Sequence, residues 1–158
     1  MPDIIQQAQK PIGEALAKLQ AALIQSVKDN GRYATGDTVA SIKIVQTETR
    51  AQLVAAPYFY ALEQGRKPTK QGATKGDPTL YTVIQKWCKA KGIDVKAAWP
   101  IAQSIHQNGY PGRIGVISGP LSKENVSAAL APALGDIAGL FGTAVVEGLR
   151  KGIGPQLK

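Results

Sequence analysis

The sequence contains one cysteine, Cys88, and one histidine, His106, among its 158 residues. A single cysteine excludes an internal disulfide framework, and one histidine without cysteine partners excludes the usual zinc sites. Both residues lie in segments with helical patterns. We therefore expect Cys88 to be a packed or surface thiol and His106 to be solvated or hydrogen-bonded near a helix end. We expect no metal and no cofactor.

Catalytic motifs are also missing. No serine lies in a GxSxG elbow, and the glycine-containing segments match neither GxGxxG nor GxxxxGK[ST]. No close pair of carboxylates suggests acid and base chemistry on a glycoside. These absences favour a protein that is not an enzyme, and a small hydrolase or nuclease is the weakest of three hypotheses.

The sequence lacks a long uninterrupted apolar run. None approaches the roughly 20 residues that cross a bilayer, and the first residues, MPDIIQQAQKP, lack the basic and apolar regions of a secretory signal. We therefore expect no membrane partner and a protein that stays in the cytoplasm where it is made.

Basic residues outnumber acidic ones by nineteen to eleven, which gives a net charge of +8. This excess favours a polyanionic neighbour, either nucleic acid or an acidic protein surface, although small proteins also carry such charge for solubility. Part of it is concentrated in GRKPTKQGATKGDP, where Arg66, Lys67, Lys70 and Lys75 precede the first acidic residue, Asp77. Such a loop either contacts phosphates with low specificity or is simply solvated.

Apolar spacing predicts a long helix at each end of the chain. The N-terminal stripe consists of Ile12, Leu16, Leu19, Leu23 and Val27. We expect this helix to extend back toward Pro2, to break at Pro11 and to end at Asn30-Gly31. The C-terminal stripe consists of Leu130, Leu134, Ile137, Phe141, Val145 and Leu149, and predicts a helix over about 122–151.

The central part of the chain has strand-like and then helix-like patterns. Alternation predicts strands over Thr38 to Thr47 and Arg50 to Ala56, with a turn near Glu48-Thr49. A helix follows, with Asp77 as N-cap, Pro78 at its first position and Gly92 as its terminator. The next helical segment must break or restart at Pro100.

The segment YPGRIGVISGP contains Ile114, Val116 and Ile117, which favour a short strand or an extended arm that inserts into a neighbouring protein. Together the elements predict an α+β fold in which a small antiparallel, hairpin-based sheet packs against the long N-terminal helix and further helices. We expect a single domain over 1–158, with its core at about 12–112 and a C-terminal helical segment at about 122–151.

Aromatic residues flank the basic loop. Tyr58, Phe59 and Tyr60 precede it, and Trp87 follows it on a predicted helix. Such residues can anchor an interface, although packing in the monomer core explains two of the first three equally well. Glu63 is followed by Arg66, so the two could clamp the loop base or pair across subunits, and the intramolecular pair is the favoured interpretation.

The order of these features resembles the tail-completion and neck proteins of tailed bacteriophages, the group that includes minor tail protein Z. The resemblance covers roughly residues 30–112 and rests on four segments. They are TGDTVASI (Thr35 to Ile42), YFYALEQGRKP (Tyr58 to Pro68), LYTVIQKWCKAKGI (Leu80 to Ile93) and AWPIAQSIHQNGYP (Ala98 to Pro111). Cys88 stands where the family often has an aliphatic residue.

The resemblance implies a virion structural protein, made in the host cytoplasm, that joins or completes the connection between head and tail. It implies a small α+β subunit without catalytic residues in a homo-oligomeric ring, often sixfold or twelvefold. Its partners would be copies of itself, neighbouring portal or connector and tail proteins, and non-specifically the DNA in the channel. The basic loop would face either DNA or an acidic neighbour. The alternative function is a basic module that binds nucleic acid without sequence specificity.

Overall fold

The computed structural model describes residues 2–31 and 36–153, with side chains over 5–31 and 36–150. Its helices are α1 (Pro2–Asp29), α2 (Asp37–Ala40), α3 (Ala61–Gln64), α4 (Leu80–Lys91), α5 (Ala98–Asn108) and α6 (Lys123–Ile153). Two antiparallel strands, β1 (Lys43–Gln46) and β2 (Ala51–Val54), form the sheet, and 3₁₀ turns cover Pro57–Tyr60 and Val95–Ala97. The predicted α+β class is confirmed.

The chain divides into two compact units. Unit 1 contains Met1–Ala22, Lys43–Val54 and Leu121–Lys158. Unit 2 contains Leu23–Ile42 and Ala55–Pro120. Helix α1 therefore contributes its first part to unit 1 and its last part to unit 2. The assignment of residues 1–158 to one domain stays a prediction.

The β-hairpin of unit 1 exposes one of its faces. Ile44 pairs with Leu53, and both side chains are half-buried, whereas Val45 and its partner Gln52 are exposed. The turn closes where the sequence predicts it, with the Thr47 N–H donating to the Arg50 carbonyl at 2.7 Å. The small sheet therefore has one face directed toward the protein and one toward solvent.

Side-chain amides join the hairpin to α1 within unit 1. Gln9 Nε2 donates to the Thr47 carbonyl at 3.2 Å, and Gln46 Nε2 donates to the Gln9 carbonyl at 2.8 Å. Gly13 makes room for this contact, because a Cβ at that position would lie 3.2 Å from the Gln46 Oε1 atom. These bonds set the hairpin against the first half of the long helix.

The first predicted strand begins too early. Residues 37–40 form the helical turn α2, and β1 begins only at Lys43. Gly36 adopts a φ of 83° before this turn, and Ser41 Oγ donates to the Thr38 carbonyl at 2.7 Å. Short polar side chains that bond to nearby backbone stabilise turns over extended strand. This local competition explains the error. Thr35, in the same motif, lies outside the described residues.

Helix α1 is continuous from Pro2 to Asp29, so the expected extension toward Pro2 is confirmed, whereas the expected break at Pro11 is wrong. Proline removes one helical N–H donor, and here the helix continues through it. Its buried side chains are Ala15 and Leu19 in unit 1 and Leu23 and Val27 in unit 2. They lie at steps of four, so a single stripe of the helix provides core to both units. The helix ends before Gly31, which takes the left-handed φ of 65° that this residue type favours.

Helices α4 and α5 pack together in unit 2. Cys88 on α4 and Ala98 on α5 are fully buried, which makes Cys88 a packed thiol. Pro100 is the third residue of α5, where its missing N–H costs no helical hydrogen bond, so the expected restart is confirmed. Small buried side chains on both helices allow the close approach.

The start of α4 differs from the prediction. Thr79 is the N-cap, and its Oγ1 accepts a hydrogen bond from the Thr82 N–H at 3.3 Å. Asp77 was expected in that role but lies two residues too early and is exposed. The end is as predicted, because Gly92 adopts a φ of 68° in the left-handed region. Thr79 was overlooked because Asp-Pro is the stronger sequence signal.

Helix α6 confirms the predicted C-terminal helix, but much of its apolar surface is exposed. By length and composition it could cross a membrane: within Lys123–Arg150 one 18-residue segment has a mean hydropathy of 1.6, and 6% of that segment is buried. The sequence shows no long apolar run here, because glycines and Pro132 interrupt the apolar residues of α6. A search for uninterrupted runs therefore does not identify this helix as a candidate span. Length and composition alone are weak evidence for a span, since core helices of soluble proteins share them.

Candidate interaction site: the basic loop and its base

Two backbone segments of unit 2 cross at the base of the basic loop. Arg66 and Tyr110 form an isolated antiparallel bridge, with each N–H donating to the other carbonyl at 2.9 Å. The Arg113 N–H donates to the Leu62 carbonyl at 3.0 Å, and Tyr110 Oη donates to the Ala61 carbonyl at 3.2 Å. We call residues 61–66 and 109–113 the loop base. Both ends of this crossing are thus fixed by hydrogen bonds.

Three glycines make the crossing possible. A Cβ at Gly112 would collide with the Glu63 carbonyl oxygen, and a Cβ at Gly65 would collide with the Tyr110 carbonyl oxygen and the Gly112 nitrogen. A Cβ at Gly109 would collide with the Arg66 carbonyl oxygen. Backbone contact this close requires glycine on both segments. The loop base is therefore a specifically built feature.

Glu63 locks a turn onto the loop base. Its Oε2 atom accepts hydrogen bonds from the Ile117 N–H at 2.7 Å and the Ser118 N–H at 2.8 Å. Partial desolvation raises the pKa of Glu63, but hydrogen bonds from the Ser118 hydroxyl and from backbone N–H groups of the 115–118 turn outweigh this, so the pKa lies below its ordinary value. The ionised Glu63 carboxylate thus holds the turn in place.

The expected pairing of Glu63 with Arg66 is wrong. Glu63 is occupied by the 117–118 amides, and the Arg66 guanidinium donates to Thr69 Oγ1 at 3.3 Å instead. Adjacent backbone N–H groups satisfy a carboxylate without the entropy cost of ordering a long arginine side chain. The clamp at the loop base exists, but its donors come from a segment more than fifty residues away.

The segment YPGRIGVISGP is neither a strand nor an extended arm. Residues 114–120 form consecutive turns. Val116 is fully buried, and its carbonyl accepts a hydrogen bond from Ser26 Oγ at 2.9 Å. Ile114, by contrast, is 91% exposed. The glycines and the Glu63 carboxylate favour a folded turn over extension in this segment.

The loop that leaves this base exposes its positive charges. Lys67, Lys70 and Lys75 are exposed, and Arg66 is half-buried. None of these three lysine side chains forms a hydrogen bond or ion pair within the part of the chain that the structure describes. From Gln64 to Ile93 the sequence holds seven basic residues and one acidic residue. The charges are therefore available to an external partner.

Thr69 ties the start of the loop to the end of α5. Its N–H donates to the His106 carbonyl at 2.8 Å, and its Oγ1 lies 2.7 Å from His106 Nδ1. His106 is thus the hydrogen-bonded helix-end histidine that the sequence predicts. These bonds give His106 a structural role at the start of the loop.

The aromatic residues before the loop divide between core and surface. Phe59 is buried, whereas Tyr58 and Tyr60 are 52% and 67% exposed. Trp87 is half-buried on α4. One of the three consecutive aromatics therefore packs inside, and the two tyrosines remain accessible beside the loop base.

Sequence reasoning missed two features of unit 2. Trp99, near the start of α5, is 62% exposed. The glycine crossing was also missed, although Gly65, Gly109 and Gly112 are visible in the sequence. Their spacing in the chain gives no sign that they meet, so only pairing information between the two segments could have shown it.

Among residues 2–31 and 36–153, no group of three or more histidine, cysteine or acidic side chains is placed to hold a metal ion. No family model, curated protein or solved structure matches this chain. Its function must therefore be inferred from its own residues.

Proposed function

We propose that this chain is a virion structural protein: a subunit of a ring in the neck or tail of a tailed bacteriophage that joins or completes the connection between head and tail. The four-segment resemblance supports the class of protein. The observation that carries the proposal is the prebuilt loop base, which presents an exposed basic loop together with Tyr58 and Tyr60.

A ring subunit needs such prebuilt surfaces. Head-to-tail contacts that close by rotation require two different complementary patches on each copy, and layers above and below require further patches. Exposed tyrosines provide large contact area at low entropy cost. Because the loop base is already fixed, the loop loses less conformational entropy when it binds. Function then lies in contacts with copies, portal or connector proteins and tail proteins.

The proposal is tested first by the genes that surround the coding sequence. Portal, capsid and tail genes beside it would support the proposal. Deleting the coding sequence from that phage should then yield filled heads and tails that remain unjoined, with joining restored when the wild-type chain is supplied. Complete, infectious particles from the deletion would refute the proposal.

The second candidate function is nucleic-acid binding without sequence specificity. It is favoured by the exposed lysines of the loop and the excess of seven basic residues to one over 64–93. Each phosphate contact contributes about 0.9 to the slope of log affinity against log salt on duplex DNA.

A triple variant, Lys67→Gln, Lys70→Gln and Lys75→Gln, should reduce that slope by up to about 3. The matched control removes three exposed lysines of unit 1, Lys10, Lys18 and Lys43, and should change the slope little. A wild-type slope near zero would remove support for this second function.

A further inference from the structure

Helix α6 carries an exposed row of apolar residues along one side. Leu134, Phe141, Val145 and Leu149 are each 55–63% exposed, and Ala138 lies between the first two. Their steps of four, three, four and four place them on one face. We call these five residues the exposed seam. At 1.5 Å per residue it runs for about 22 Å.

A different face of α6 is buried or half-buried. Its buried and half-buried positions recur at steps of four and three along a second row. They are Val126, Ala129, Leu130, Ala133, Ile137, Leu140 and Ala144. Charged side chains lie on a third side, at Asp136, Glu147 and Arg150. The exposed seam is therefore additional to the buried and half-buried face of α6.

The exposed seam continues into a groove of unit 1. Ile5, Ala8 and Ile12 of α1 line this groove together with the hairpin turn, and Phe141 lines it from α6. Ile5 is itself 50% exposed. Because Phe141 belongs to both features, the seam and the groove form one continuous apolar surface on unit 1. Contiguous apolar surfaces of this kind mark interaction sites.

The groove also argues against a lipid occupant. Glu48 and Arg50 line it beside Phe141, which lies near the middle of α6. If α6 spanned a bilayer, these charged groups and the open hairpin would lie deep in hydrocarbon, where unsatisfied polar groups cost several kcal/mol each. An interfacial helix normally has a polar face rich in lysine and arginine, whereas that of α6 carries Asp136 and Glu147 against Arg150.

Charge makes a second copy a suitable partner. With a net charge of +8, two copies repel each other over most approaches. Between Asn125 and Val146 the one charged residue is Asp136, on another side of the helix, so a second copy that covers this part of the seam meets no positive charge there. The N-terminal end of α6 carries Lys123 with Glu124, and the C-terminal end carries Glu147 with Arg150 and Lys151.

We infer that the exposed seam of α6 is a self-association surface, covered by a second copy of this chain. The inference rests on the proposed function, because it names one of the patches through which copies in the ring meet. A ring built through any other surface would leave the proposed function intact and this inference wrong.

The test compares the masses of three proteins over a range of concentrations by sedimentation velocity. They are the wild type, a seam variant (Leu134→Gln, Phe141→Gln and Val145→Thr) and a control on the polar side (Asp136→Asn, Thr143→Gln and Glu147→Gln). The seam variant should need at least a tenfold higher concentration to assemble, whereas the control should lie within twofold of the wild type. Equal assembly of the seam variant and the wild type would overturn the inference alone. A wild type that stays monomeric alone and with its partners would overturn the proposed function as well.

A thiol footprint covers the case in which the seam variant fails to fold. Cys88 is fully buried, so a new cysteine can be labelled with little background. The thiol of Val145→Cys should react with a maleimide at least tenfold more slowly in the assembled protein than in dilute monomer, while that of Thr143→Cys should react equally in both. Equal labelling of Val145→Cys in both states would contradict the inference. So would wild-type monomer that floats with vesicles of phosphatidylcholine and phosphatidylglycerol.

Discussion

Replacing Glu63 by glutamine tests whether a single carboxylate locks the 115–118 turn to the loop base. The substitution keeps the shape of the side chain but removes its charge. In the wild type, Oε2 accepts two backbone N–H bonds at 2.7 and 2.8 Å. Hydrogen bonds to a charged group contribute about 1.5–3 kcal/mol each, against about 0.5–1.5 kcal/mol for neutral ones.

The expected loss at pH 7 is about 1–2 kcal/mol. Glu63 is only half-buried, so its two bonds lie near the lower end of the charged range, and the glutamine oxygen recovers part of each. For a chain of this length, 1 kcal/mol corresponds to roughly 2–4 °C in Tm. The matched control is Glu48→Gln on the exposed hairpin turn, which should change the free energy of unfolding by less than about 0.5 kcal/mol.

The difference between wild type and variant should also depend on pH. The pKa of Glu63 is lowered by folding, so the ionised carboxylate contributes stability that is fully present above its unfolded pKa of about 4.3. That contribution is lost as pH falls through the folded pKa. Glutamine does not titrate, so the gap between the two proteins should narrow below about pH 4.

Urea unfolding of the wild type, Glu63→Gln and Glu48→Gln at several pH values between 3 and 7 provides the measurement. Tryptophan fluorescence reports on unit 2 directly, since Trp87 and Trp99 both lie in it. Equal stability of wild type and Glu63→Gln at pH 7 would refute the proposed lock. A gap that stays constant down to pH 3 would show that the lost stability does not come from the ionised carboxylate.

Two further substitutions test the backbone geometry by the same unfolding assay. Gly112→Ala should lower the free energy of unfolding by more than about 2 kcal/mol, because its Cβ would collide with the Glu63 carbonyl. The control Gly135→Ala, at a position that faces open space on α6, should raise it by about 0.5–1 kcal/mol. Equal effects of the two substitutions would contradict the glycine crossing. Thr79→Ala should lower the free energy of unfolding by about 1 kcal/mol, because α4 loses its N-cap. The control Asp77→Ala should lie within about 0.5 kcal/mol of the wild type. A larger loss for Asp77→Ala than for Thr79→Ala would show that Asp77 is the cap.

The sequence was a good guide where structure follows from local pattern. The stripe of α1 and the stop at Gly31 follow from spacing and from glycine chemistry, as does the end of α4 at Gly92. The hairpin turn was correctly placed, since a β-branched alternating run and a second short run flanked a polar break. In each case residues within a few positions of one another determine the conformation.

The candidate site was only partly predictable because it depends on distant residues. The basic loop and the aromatic residues before it were identified from composition, but the partners of Glu63 were not. They lie at 117–118, in a segment that the sequence suggested was extended. Likewise, Gly65 and Gly112 reveal their role only when the two segments are brought together. Single-sequence patterns contain no information on such pairings.

The apolar row of α6 shows a different limit. Its spacing correctly predicts a helix, yet spacing does not tell a row that is buried in the chain itself from one that awaits a partner. Exposure makes the distinction: Ala133 is 3% exposed, whereas Leu134, its neighbour, is 63% exposed. An apolar interaction surface and a core-facing surface therefore have the same pattern in the sequence.

The central claim is that this protein functions by fitting its surface against copies of itself and adjoining particle components. Native mass spectrometry of the purified chain, alone and with the portal and tail proteins encoded beside it, tests this most directly. We predict a closed assembly with one defined number of copies. A chain that remains monomeric at every concentration and with every such partner would contradict it.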